Sequence, residues 1–111
     1  MKVYALIAGD YSGNYLVKIF RNEKDAEEIK VALNNMYDAM DNLDEQEDTE
    51  KHDYWESHQH ITDKNRVMDD YHKQESYKIF TKAKNMAYDM LKICNAPAGR
   101  HECFVEEHEL E

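Results

Sequence analysis

Proline occurs once in this 111-residue chain, glycine three times and cysteine twice. So little proline and glycine excludes collagen-like repeats and Pro/Gly-rich linkers. Two cysteines are too few for a disulfide scaffold; with no secretory signal, Cys94 and Cys103 read as reduced thiols buried near each other. Long apolar runs are missing too. Val3-Tyr4-Ala5-Leu6-Ile7-Ala8 stops at Gly9-Asp10, too short for a signal-peptide core and far too short for a membrane span. Cations are scarce: 14 Lys+Arg against 24 Asp+Glu leave a net charge of −10. That deficit disfavours direct binding to nucleic acid or an anionic membrane, since both require cationic surface. It favours basic partners. Eight Tyr, three Phe, one Trp and six Met argue against simple disorder. The expectation is one soluble cytoplasmic domain, residues 1–111.

Residues 2–8 and 15–20 read as two strands joined by the turn-forming stretch Gly9-Asp10-Tyr11-Ser12-Gly13-Asn14. Both faces of the first strand carry apolar side chains, with Val3, Ala5 and Ile7 on one and Tyr4, Leu6 and Ala8 on the other. One face must pack on helix, and the second is left for another helix or a second subunit. Asn22 has the chemistry of a helix N-cap, followed by Glu23 and Asp25 in the first turn. Ala26, Ile29, Leu33, Met36, Met40 and Leu43 then recur at alternating steps of three and four, a helical seam that suits packing on the sheet and on a second helix. A second helix is expected over about 65–95, with the stripe Ile79, Phe80, Ala83, Met86, Ala87, Met90, Leu91, Cys94. Asn95-Ala96-Pro97-Ala98-Gly99 stops it. Glu102–Glu106 reads as a third strand.

The expected fold is therefore α+β, a small three-stranded antiparallel sheet in the order β-β-α-α-β. Two long helices leave the sheet as an acidic protruding hairpin, and residues 41–64 form an acidic segment between them. Residues 41–63 hold nine acids (Asp41, Asp44, Glu45, Glu47, Asp48, Glu50, Asp53, Glu56, Asp63) and one base, Lys51, for a charge of −8. Residues 1–40 and 64–111 each sum to −1, so most of the net charge sits in one fifth of the length.

The opening Val3-Tyr4-Ala5-Leu6-Ile7-Ala8-Gly9-Asp10-Tyr11-Ser12, the strand Tyr15-Leu16-Val17-Lys18-Ile19-Phe20 and the helix start Glu23-Lys24-Asp25-Ala26-Glu27-Glu28 carry a resemblance. With the closing Phe104-Val105-Glu106-Glu107-His108-Glu109-Leu110, they resemble a family of short uncharacterised proteins of phages and Gram-positive bacteria. The likeness covers about residues 3–33 and 101–110. It implies the ββαβ sheet and a phage or mobile-element accessory gene acting in a host cell, and it brings no activity with it. The acidic and helical stretch between about 40 and 95 departs from that family.

His52, Asp53, Glu56, His58 and His60 cluster near Trp55, yet no pair has the spacing that sets two imidazoles on one helical face. A solvated polar segment with scattered histidines is the preferred reading, a metal or small-ligand module the rival, and no metal or cofactor is expected. No phosphate-binding loop is present, and Gly9-Asp10-Tyr11-Ser12-Gly13 lacks its spacing. Carboxylates are abundant, but none is set in an apolar stretch that would raise its pKa for acid catalysis. Enzymatic function is not expected. A solvated linker is the plain reading of the acidic run. Against it, Asp41/Asp44/Glu45/Asp48 and Glu47/Glu50 are like-charge neighbours on a helix, each unfavourable by roughly 0.2–0.5 kcal/mol.

The sequence thus points to a non-enzymatic acidic binding protein that occupies the basic groove of a nucleic-acid-handling host protein, as an anti-CRISPR or anti-restriction factor would. Asp41, Asp44, Glu45, Glu47, Asp48, Glu50, Asp53 and Glu56 would stand in for phosphates. Tyr54 and Trp55 would serve as aromatic anchors. The alternatives are a homo-oligomeric structural or accessory protein, joined through the second sheet face or through the Ala26–Leu43 seam, and a small-ligand or metal-binding module using the His52–His60 cluster.

Overall fold

Two short apolar, strand-favouring runs in the first twenty positions build a hairpin, and a computed structural model describing residues 1–111 shows it as β1 (Lys2–Asp10) and β2 (Gly13–Phe20). The connector is shorter than the sequence suggests, only Tyr11 and Ser12. Asp10 makes this possible: its Oδ1 accepts from the Ser12 and Gly13 amides at 2.8 and 3.1 Å, and from Ser12 Oγ at 2.6 Å. Gly13 closes the turn at φ 147°, which side chains disfavour. The register slips by one residue between the Leu6–Lys18 and Ile7–Leu16 pairs. Val17 is the extra residue of this bulge and is buried in the core.

Asn22 caps α1 (Glu23–Ser57), accepting from the Lys24 amide at 2.9 Å. The apolar seam lands where its period places it. Ala26, Leu33 and Met40 are buried, Ile29 and Met36 partly so, and Tyr37 joins them although it lies outside the seam. The seam is therefore occupied by the chain's own sheet and helix and is not free to form a homodimer. The expected inter-helix acidic segment also needs correcting, because α1 continues unbroken to Ser57. At 35 residues and 1.5 Å per residue the helix is about 52 Å long. Only residues 58–63 connect it onward.

The expected single helix over 65–95 is two helices, α2 (Lys64–His72) and α3 (Glu75–Ile93). Gln74, at φ −66° and ψ 143°, is extended and breaks the ladder. The break lets Val67 and Tyr71 of α2 turn inward and bury. No Gly or Pro marks it, so the composition gave no warning. α3 ends on Asn95 at φ 56°, with the Ala96 amide donating back to Leu91 O at 2.8 Å. Asn95 also donates to Val17 O at 3.1 Å, tying the end of α3 to β2.

The chain then crosses to the far edge of the sheet as β3 (Glu102–Glu109), giving the antiparallel order β2-β1-β3. Asn34 of α1 locks this strand with both ends of its amide. Its Nδ2 donates to Cys103 O at 3.1 Å and its Oδ1 accepts from Cys103 N at 2.7 Å. Leu6, Ala8, Val17, Leu33, Tyr37, Met40, Leu91 and Cys103 form the core beneath. Beyond Met40, α1 leaves the sheet and runs antiparallel to α3 as a stalk, so the molecule measures 69 × 25 × 16 Å. No helix is long and apolar enough to cross a membrane.

The core sets a pH dependence. Burial pushes the Cys103 thiol up to about 11 and the Tyr37 phenol up to about 12, where its hydroxyl donates to Pro97 O at 2.7 Å. Both groups hold their protons more tightly folded than unfolded. Their contribution is complete below pH 9 and is lost as pH rises through the folded values. The urea midpoint is expected to be flat to pH 8 and to fall steadily between pH 9 and 12. Cys103→Ala should flatten the first part of that fall. A midpoint unchanged at pH 11 would contradict it.

Candidate protein-binding surface on the stalk

An α-helix turns 100° per residue, so acids three and four positions apart share a face while those between them point elsewhere. Applied to α1, this separates the acids into groups with different fates. Asp44 and Glu47 look toward α3. There Lys84 Nζ sits 2.9 Å from Asp44 Oδ1 and against Glu47 Oε2, the latter contact being an ion pair rather than a directed hydrogen bond. The Glu47 carboxylate, with Asp44 beside it, is the main reason the Lys84 ammonium is pushed above its ordinary range. Glu50 accepts a hydrogen bond from Ser76 Oγ. These three acids hold the stalk together.

The opposite face carries a carboxylate stripe. Asp38, Asp41, Glu45 and Asp48 follow at steps of three, four and three, and Glu56 ends the row after His52. From Asp38 to Glu56 the row advances 18 positions, about 27 Å along the axis. Arg100 pairs with Asp38 and Asp41 at the sheet end, and His52 lies 3.0 Å from Glu56 at the other. Glu45 and Asp48, between these clamps, are exposed and make no ion pair with the chain. Asp53 is exposed and unpaired as well, about a quarter-turn round the helix, in a shallow 550 Å³ depression with Asn42, Glu45, Thr49 and Phe80. The stripe reproduces Asp41, Glu45, Asp48 and Glu56 of the sequence reading and adds Asp38. That residue lies N-terminal to the dense acidic run, and only its step of three to Asp41 could have flagged it.

The two aromatic candidates are engaged. The Tyr54 ring stacks on His58 with centroids 4.1 Å apart and tilts against buried Tyr71 at 5.5 Å. Burial, then the nearby Glu47 and Glu50 carboxylates, raise the Tyr71 phenol above its ordinary value. Trp55 is half-buried, with Lys64 Nζ 5.6 Å from its ring centre, and lines a 350 Å³ hollow with Asp48, Lys51, His52 and Met68. Trp55 thereby borders the carboxylate stripe at Asp48. His52, His58 and His60 do not converge: no three His, Cys, Asp or Glu side chains are grouped to hold a metal ion.

A second polar hollow, of 560 Å³, lies at the sheet end between Asp10, Asn34, Asp38, Arg100, His101 and Glu102. The sequence did not suggest it, since Arg100 and His101 reach Asp38 and Asp10 only through the crossing before β3. Asp10 Oδ2 is 3.3 Å from His101 Nε2 while its Oδ1 takes the Ser12 hydroxyl. Hydrogen bonding from Ser12 holds the Asp10 carboxyl below its usual range. Asp10 stands between the serine and the imidazole, so His101 is not placed to take the hydroxyl proton. This geometry makes a turn latch, not a nucleophile.

No protein-family model matches the chain, and neither the curated proteins nor the solved structures give a match.

Proposed function

We propose that this chain is a non-enzymatic acidic binding protein that inserts its stalk into the basic, nucleic-acid-binding groove of another protein. One observation carries the reading. The carboxylate stripe from Asp38 to Glu56 is exposed on a projecting helix, and its central members Glu45 and Asp48 are left without cations although α3 carries several lysines. Carboxylates one turn apart are about 5–6 Å from each other, a spacing comparable to successive phosphates. Stability alone disfavours such a row, because each like-charge neighbour costs a few tenths of a kcal/mol. A basic groove would relieve that repulsion on binding, and the −10 net charge would speed the encounter. Glu45 and Asp48 would make the central contacts, with Asp38, Asp41, Glu56 and Trp55 at the margins. The narrower form, an anti-CRISPR or anti-restriction factor acting in the cytoplasm of a bacterial host, rests on the hairpin–helix resemblance alone.

The reversal Glu45→Lys/Asp48→Lys tests it. Because it removes like-charge pairs, the variant should melt no lower than the parent. Capture of nucleic-acid-binding proteins from bacterial lysate at low salt should nevertheless fall by about a hundredfold or more. Asp53→Lys, off the stripe, should cost less. Equal capture by parent and double variant would refute the proposal.

A further inference from the structure

The remaining lysines of α3 lead to a different surface. Only Leu91 of this helix is fully buried, yet Ile79, Met86, Met90 and Ile93 are 60, 61, 49 and 78% exposed. With half-buried Ala83 they follow at steps of four, three, four and three, a second apolar seam beside the one that faces α1. We propose that this seam binds a second copy of the chain, α3 against α3 in antiparallel orientation.

The seam is complementary to itself. Pairing it antiparallel about a two-fold axis between Lys84 and Asn85 sets Ile79 against the partner's Met90 and the long Met86 over the partner's small Ala83. The same register brings Lys82 beside the partner's Asp89, and the axis repeats that pair. Neither Lys82 nor Asp89 has an ion-pair partner within its own chain, and both are exposed. Symmetry turns this one match of opposite charges into two ion pairs flanking the seam. Antiparallel pairing also points the two acidic stalk tips in opposite directions, so the net charge of −10 opposes association little.

The other uncovered apolar surface, the sheet face with Leu16, Ile19 and Phe104, fits a second copy less well. There β3 places Glu102 and Glu106 in register with Gly9 and Ala5, so a copy docked face to face would meet the same carboxylates.

Sedimentation equilibrium from micromolar to about 1 mM tests the dimer. The expected result is a concentration-dependent rise from 13.2 kDa to twice that mass. Met86→Glu, at an exposed position, should keep the helical circular dichroism and weaken association at least about tenfold. Lys82→Glu and Asp89→Lys should each weaken it, and the double exchange Lys82→Glu/Asp89→Lys should restore it. A chain that stays monomeric throughout would overturn the proposal. So would a dimer indifferent to Met86→Glu but lost with Leu16→Glu. Neither result bears on the carboxylate stripe, which lies on another helix.

Discussion

Leu91→Ala is expected to lower stability by about 3 kcal/mol, within the range for burying a cavity in place of leucine. The effect should be unusually damaging because the core is small: 13 of 111 residues are buried. Leu91 is the single buried residue of α3 and packs with Met40 and Val17 where stalk and sheet meet. Its truncation should loosen α3 before the sheet. Hydrogen exchange should show amides of α3 losing protection at lower denaturant than those of β1. A uniform loss of protection, or a change below about 0.5 kcal/mol, would contradict this account of how α3 is held.

Lys84→Met is expected to cost about 2 kcal/mol, second only to the core truncation. Lys84 and Glu47 side chains are 22 and 16% exposed, so removing the ammonium leaves a largely buried carboxylate uncompensated. The full penalty for a buried pair, several kcal/mol, is discounted because Asp44 is 54% exposed and can turn to water. Adding Glu47→Leu should recover most of the loss, since an apolar contact can replace a desolvated pair. Urea unfolding of the parent, single and double variants checks the sequence of midpoints. If Lys84→Met behaves like Lys78→Met, at an exposed position with no ion pair, Lys84 does not brace the stalk.

These two residues show what the sequence could express. Leu91 was legible, as part of an apolar stripe at helical spacing, and so were the hairpin, the Asn22 cap and the Ala26–Leu43 seam. Each is a local pattern whose period or chemistry names its own conformation. Lys84 was not legible, because its meaning depends on Asp44 and Glu47 forty residues earlier. The same lack of distance information made the acidic run look uniform. Once α1 is known to be continuous, Asp44, Glu47 and Glu50 turn inward to α3, while Asp38, Asp41, Glu45 and Asp48 align outside. The break at Gln74 was not legible because it goes with the tertiary burial of Val67 and Tyr71, with no helix-breaking residue to announce it.

The self-association inferred for α3 and the proposed binding through α1 use different faces, so a dimer would present two carboxylate stripes on stalks pointing apart. The central claim is that the stripe occupies a site made for nucleic acid, and competition tests it most directly. The immobilised chain, loaded with bacterial lysate at low salt, is washed at constant ionic strength with excess duplex DNA or single-stranded RNA. The account predicts release of a basic nucleic-acid-binding protein by one of these polymers and by salt, and no capture by the Glu45→Lys/Asp48→Lys variant. An empty column, or a captured protein that nucleic acid cannot displace, would contradict it.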